Sequence, residues 1–149
     1  MNIVEVRATV LRVLRAGGEA DEVRQILATD QQKAPRVLEP FLDPLLDLAV
    51  EAYGLIGAST TSPIRMEGFV ETYLPDYDFR GKVDNRNLHY ALTYPALIHA
   101  GLEPDVGSDL YHWRSEPWPY MLYAIEAYLR VAAERSGRPM PDLAGDLPD

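Results

Sequence analysis

The chain has 149 residues, enough to bury a substantial core, and it has no cysteine, which excludes both disulfides and a nucleophilic thiol. It carries 14 basic against 23 acidic side chains, a formal net charge of −9. Because a nucleic-acid binder must neutralise phosphates, this acidic excess argues against nucleic-acid binding. The same excess is compatible with a basic protein partner, and also with simple solubility.

Two kinds of targeting segment are not predicted. The start of the chain, Met-Asn-Ile-Val-Glu-Val-Arg, lacks a basic region followed by an uninterrupted apolar stretch, so we expect no secretory signal. No window approaches 18 consecutive apolar residues, so we expect no membrane-spanning helix. Together with the lack of cysteine, these features favour a cytoplasmic protein.

The first 31 residues predict two helices. Apolar residues recur at helical spacing through 3–14, and Gly17 with its glycine neighbour ends this helix. Asp21 and Glu22 then lie where the first turn of a short second helix favours negative charge.

The segment 34–57 carries a long apolar stripe that prolines interrupt. Proline inside a helix removes a hydrogen bond and costs about 3 kcal/mol, so we split the segment. We expect a helix with Asp43 as its N-cap and Pro44 at its first position, ending at Gly54 or Gly57. A continuous helix with a kink is the alternative.

The middle of the chain predicts two more helices and a loop. One helix opens at Ser62 and stops before Pro75. Residues 76–84 have the least periodicity and predict a long loop. Asp84 can cap a further helix, in which Pro95 forces a kink.

The clearest helix follows Ser115, whose hydroxyl can cap its first turn. Gly137 can adopt the left-handed conformation that ends a helix, and Pro139 forbids continuation. One face of this helix is apolar at i, i+4, i+7, i+11 and i+14, which predicts packing against a core. The residues of this face are Trp118, Leu122, Ile125, Leu129 and Ala132.

Few segments favour strand, and the chain has no Asn-Gly or Asp-Gly hairpin turn. We therefore predict an all-α fold, a compact irregular bundle of about six helices, two of them kinked or split by proline. Residues 1–138 should form a single helical domain. Residues 139–149 hold three prolines and three aspartates with little to bury, so we expect a flexible acidic C-terminal tail.

The chain contains no catalytic motif that we can identify. Phosphate-binding loops, the nucleophile elbow and the zinc motif H-E-x-x-H are all missing from the sequence. Glu67 and Glu71 have the spacing found in carboxylate-bridged metal helices, but no second E-x-x-x-E or E-x-x-H accompanies them. We therefore predict no metal, no cofactor and no catalytic residue.

The aromatic segment 111–114 is the strongest candidate for binding. Tyrosine, tryptophan and arginine dominate interface hot spots because they bury a large area and keep a polar group. The segment lies in a predicted connection just before a helix, where binding sites often occur. The alternative is that the two tryptophans are core anchors. With neighbouring residues included, the predicted binding residues are Arg86, His89, Tyr111, His112, Trp113, Arg114, Trp118 and Tyr120.

Two functions remain open at this point. The first is an acidic helical interaction protein, of the inhibitor, immunity or adaptor type, that binds another macromolecule through the aromatic segment 111–114. The second is a small-molecule-binding protein or enzyme whose pocket is lined by tyrosine, tryptophan, histidine and arginine. A closed pocket would favour the second function, and an open aromatic patch would favour the first.

Overall fold

The computed structural model of the chain describes residues 3–31, 41–57, 85–102 and 117–149. These residues form six α-helices and no strand, which confirms the predicted all-α bundle. The helices are α1 (Ile3–Arg15), α2 (Ala20–Gln31), α3 (Leu42–Gly54), α4 (Asn85–His99), α5 (Trp118–Ser136) and α6 (Met140–Asp146).

Helix α5 lies at the centre of the bundle. It packs against α2, α3, α4 and α6, while α1 packs against α2, α3 and α6. The five residues of its predicted apolar face are each at most 2% exposed, so that face is confirmed. The buried surface is wider than predicted, because every side chain from Tyr120 to Leu129 is buried. A helix covered on several sides cannot keep a polar face in solvent.

Glycines end two of these helices as the sequence predicts. Gly137 has φ +72°, the left-handed conformation, and its N–H donates to the Ala133 carbonyl at 2.9 Å. Gly17 has φ +86° and follows the end of α1. Both positions lie in the region of backbone space that side chains disfavour. The predicted Ser115 cap of α5 lies outside the described residues.

The start of α3 differs from the prediction. Phe41, rather than Asp43, is the N-cap, so Asp43 and Pro44 both lie inside the first turn. Proline is tolerated there because the first N–H groups of a helix have no partner within the helix. The Phe41 ring packs edge-on against Trp118, with centroids 5.7 Å apart. Packing in the core therefore overrides the local capping preference. The end of α3 at Gly54 is as predicted.

Two further predictions have different outcomes. Pro95 lies inside α4, as the sequence indicates, and the kink expected there stays a prediction. The helix that opens at Ser62, the loop 76–84 and the Asp84 cap lie outside the described residues.

The structure corrects the prediction of a flexible tail over 139–149. This segment contains α6, which packs against α1 and α5. Leu143 and Leu147 lie four residues apart and are 3% and 2% exposed. Low apolar content suggested that the segment had little to bury. Leu143 within the short helix and Leu147 directly after it are both buried, and these contacts, together with the arginine contacts from α1 described below, are enough to fold the segment.

Leu129→Ala tests the central position of α5. The change deletes buried methyl groups and leaves a cavity, so it should lower the free energy of unfolding by about 2–5 kcal/mol in chemical denaturation. Glu134→Ala, at the exposed end of the same helix, is the control and should stay within roughly 0.5 kcal/mol of the parent. A Leu129→Ala variant as stable as the parent would contradict the assigned core.

Candidate interaction surface

The structure describes only part of the predicted binding site. The segment 111–114 and the side chain of Arg86 lie outside the described residues. His89 is exposed on α4, whereas Trp118 and Tyr120 are 2% and 5% exposed. The described members of the predicted site therefore occupy two different environments, the surface of α4 and the core.

Trp118 is a core anchor, which was the alternative that the sequence left open. Its ring contacts Phe41 at the beginning of α3. Trp118, four residues after the aromatic segment 111–114 in the sequence, therefore lies beside the first turn of α3, which carries Asp43. Periodicity placed Trp118 on an apolar face, but it could not show which helix the ring would contact.

Three carboxylates follow one another along α3 at intervals of four residues, and we call them the acidic row: Asp43, Asp47 and Glu51. This spacing places them on one side of the helix. Asp43 and Asp47 are exposed, and the Glu51 side chain is 38% exposed. The sequence of α3 contains no basic residue. Hydrophobic periodicity identified this helix, and the same spacing applied to charges would have found the row.

The carboxylates of the row repel one another. Partial burial raises the pKa of Asp47 above its ordinary value, and the neighbouring charges of Asp43 and Glu51 raise this pKa further. The positive charge of Arg7 acts in the opposite direction. The row therefore keeps like charges together at a cost in stability, as like-charge pairs at this spacing do in other helices.

Arg7 of α1 holds one end of the row. Its guanidinium lies 2.5 Å from the Glu51 carboxylate and donates through Nε to the Pro148 carbonyl at 3.0 Å. Arg7 thus connects the acidic row with the C-terminal segment, and the negative charge of the row is concentrated towards Asp43 and Asp47.

A buried carboxylate, that of Glu126, lies between α2 and α5, and the sequence analysis did not predict it. Glu126 is 1% exposed, and one of its oxygens accepts a hydrogen bond from the Ala20 N–H at the start of α2. Its other oxygen lies 3.7 Å from Arg130 and has no hydrogen bond. Burial raises the pKa of Glu126, although the Ala20 N–H and Arg130 partly offset this shift. Because Glu126 satisfies an N–H at a helix start, its role is structural.

Tyr123 completes the contact between α2 and α5. Its hydroxyl donates to Asp21 at 2.7 Å and accepts from Arg24 at 3.1 Å. Burial and the hydrogen bond to Asp21 raise the pKa of Tyr123 to about 12, so the hydroxyl remains protonated at neutral pH. Asp21 and Arg24 are each about half exposed, and the arrangement fixes α2 on α5.

A depression of about 330 Å³ lies at the turn between α1 and α2. It is open to solvent, and it includes none of the predicted binding residues. Its lining residues are Arg12, Val13, Ala16, Gly17, Gly18 and Glu22. An open depression of this kind does not have the enclosed, mostly apolar form that small-molecule sites usually have.

The described part of the chain contains neither a metal-binding cluster nor a membrane-spanning helix. Within those residues, no group of three or more histidine, aspartate or glutamate side chains could hold a metal ion. The Glu67–Glu71 pair lies outside them. None of the six described helices is long and apolar enough to span a membrane.

The scan against protein-family models, the search of curated proteins and the search of solved structures all find no match for this chain. The charge and geometry of the described surface are therefore the basis on which a function can be inferred.

Glu126→Gln tests the buried carboxyl group through the pH dependence of stability. The folded state holds the Glu126 proton more tightly than the unfolded chain does. This group's contribution to stability is therefore complete below its ordinary pKa of 4.5 and is lost as pH rises through its folded-state pKa. Glutamine can still accept from the Ala20 N–H but does not titrate. The free energy of unfolding of the variant, minus that of the parent, should increase from pH 4.5 to about pH 7 in urea denaturation.

The exposed residue Glu134 provides the matched control for this experiment. The same difference for Glu134→Gln should change less over the same pH range. A difference for Glu126→Gln that decreases as pH rises would show that the buried carboxylate is stabilised in its charged form.

Proposed function

We propose that this chain is an interaction protein that binds a basic macromolecular partner through the acidic row and the aromatic segment 111–114. The acidic row carries the proposal, because it is a line of like charges in which Asp43 and Asp47 are exposed. Partial burial raises the pKa of Asp47, and the charges of Asp43 and Glu51 raise it further. Basic side chains of a partner would relieve this repulsion on binding. The net charge of −9 would add long-range attraction and speed the encounter.

The contact between Trp118 and Phe41 supports treating the acidic row and the aromatic segment 111–114 as one binding surface. The aromatic segment 111–114 leads within a few residues to Trp118, whose ring lies against the start of α3. Asp43 belongs to the first turn of the same helix. Aromatic and arginine side chains beside a charged row would give a partner both a desolvated anchor and charge complementarity.

The small-molecule alternative has less support among the described residues. That alternative required tyrosine, tryptophan, histidine and arginine to converge on one pocket. Trp118 and Tyr120 are instead buried in the core, and His89 is exposed on α4. The interaction function is therefore the one that we propose.

Removing two charges from the row tests the proposal. Proteins captured by this chain from its native host supply the partner, and calorimetry then measures the affinity of the purified pair. Asp43→Asn/Asp47→Asn should weaken binding by roughly 0.5–2 kcal/mol, because each exposed charge pair contributes up to about 1 kcal/mol. Added salt should weaken binding by the parent protein more than binding by the variant.

The control removes the same number of charges from a different surface. Glu134→Gln/Asp142→Asn changes two exposed carboxylates on α5 and α6, so both double variants have a net charge two units less negative than the parent. The control should bind nearly as well as the parent. Equal weakening by the two double variants would mean that only net charge matters, and the acidic row would not be the binding surface.

Trp113→Ala and Arg114→Ala test the aromatic segment. As hot-spot truncations they should each weaken binding by more than about 1 kcal/mol while leaving the circular dichroism spectrum and melting temperature close to those of the parent. If Trp113→Ala unfolds the protein, Trp113 is a core residue and the segment loses its main proposed contact.

A further inference from the structure

Residues 138–149 lie over α1 and α5, and we call them the C-terminal strap. The only helix within the strap is α6, which has seven residues and is too short to be stable by itself. The buried side chains Leu143, Ala144 and Leu147 fix its apolar side. The strap therefore depends on contacts with the rest of the bundle for its structure.

Two arginines of α1 hold the polar side of the strap. Arg15 donates to the carbonyls of Ala144 at 3.1 Å and Leu147 at 2.7 Å, and it pairs with the Asp149 carboxylate at 2.5 Å. Arg7 donates to the Pro148 carbonyl. The Ala144 carbonyl also accepts from the Leu147 N–H, whereas Leu147 and Pro148 follow the end of α6, and the guanidinium groups supply partners for their carbonyls.

The strap is joined to α5 by a short connection that is not helical. Gly137 has the left-handed conformation, and residues 138 and 139 lie between the two helices. Rotation after Gly137 would move the strap and leave the hydrogen bond from the Gly137 N–H to the Ala133 carbonyl of α5 intact. Short elements with few buried side chains are the ones that open locally before global unfolding.

Arg7 contacts the strap and the acidic row at the same time. Its guanidinium pairs with Glu51 and donates to the Pro148 carbonyl. We propose that the C-terminal strap is a releasable element linked to the acidic row through Arg7, so that a cationic partner on the row opens the strap.

The proposed coupling between the acidic row and the strap has an electrostatic cause. This inference rests on the proposed function, in which a basic partner binds the row. A cation placed at Glu51 repels the Arg7 guanidinium and replaces it as the partner of that carboxylate. Arg7 then holds the Pro148 carbonyl less firmly, since it has lost the contact that fixes its position. Because coupling between two sites is reciprocal, opening of the strap also favours binding of a cation at the row.

The first experiment needs no partner. Hydrogen exchange is measured at the amides of Leu143 and Leu147, which donate within the strap, with the amide of Leu129 in α5 as the internal reference. Arg15→Ala and Glu51→Gln should both speed exchange in the strap, by about fivefold or more for Arg15→Ala, while Leu129 is unchanged. Arg12→Ala removes the same charge from an exposed position in α1 and should leave the strap unchanged.

Two results of this experiment would overturn the proposal. If Arg15→Ala speeds exchange equally in the strap and at Leu129, the strap does not open as a separate element. If Glu51→Gln leaves the strap amides unchanged, Arg7 does not link the row to the strap.

The second experiment uses an octalysine peptide as the cationic probe. Bound peptide should speed exchange at Leu143 and Leu147 but not at Leu129, and Asp43→Asn/Asp47→Asn should weaken both the binding and the effect. Peptide that binds at the row without changing the strap would overturn the link and leave the proposed function standing. A peptide that does not bind, while Glu51→Gln opens the strap, would confirm the Arg7 link and count against the row as a site for cations.

Discussion

The burial of α5 on several sides is the constraint on which the rest of the structure depends. Side chains are buried at every position from Tyr120 to Leu129, so other helices must cover each side of this one. Its polar groups must then find partners inside the bundle. Tyr128 donates to the Leu92 carbonyl of α4, and Glu126 accepts from the Ala20 N–H of α2. These two polar groups of α5 therefore also position neighbouring helices.

Periodicity predicted the part of this arrangement that depends on apolar spacing alone. The face that contains Leu122 and Leu129 was identified from the sequence, as was the glycine that ends the helix. Burial of Glu126 could not be predicted, because a glutamate ordinarily marks the solvent side of a helix. The fold of the strap was also missed, since it depends on Arg7 and Arg15, more than 120 residues away in the sequence. Of the proposed surface, the aromatic segment 111–114 stays a prediction from the sequence, because it lies outside the described residues, and the acidic row was not predicted.

The burial of α5 on several sides leaves the outer side of α3 available for charged side chains. The buried side of α3 packs against α5, α4 and α1. Asp43 and Asp47 are exposed, and the repulsion among the charges of the row costs stability there, whereas Glu51 pairs with Arg7. A protein selected only for stability would gain by interrupting the row with a basic residue at position 47. Two exposed carboxylates, Asp43 and Asp47, kept together despite their mutual repulsion support the proposal that the row serves binding.

Thiol labelling of single-cysteine variants tests the central position of α5 most directly, because the parent chain has no cysteine of its own. Ala127 is fully buried in the middle of α5, and Glu134 is exposed near its end. If α5 is the centre of the bundle, the thiol of Ala127→Cys reacts only when the protein unfolds. It should label at least about a thousandfold more slowly than the thiol of Glu134→Cys. Labelling of Ala127→Cys within about tenfold of Glu134→Cys, in a protein that circular dichroism shows to be folded, would contradict the account.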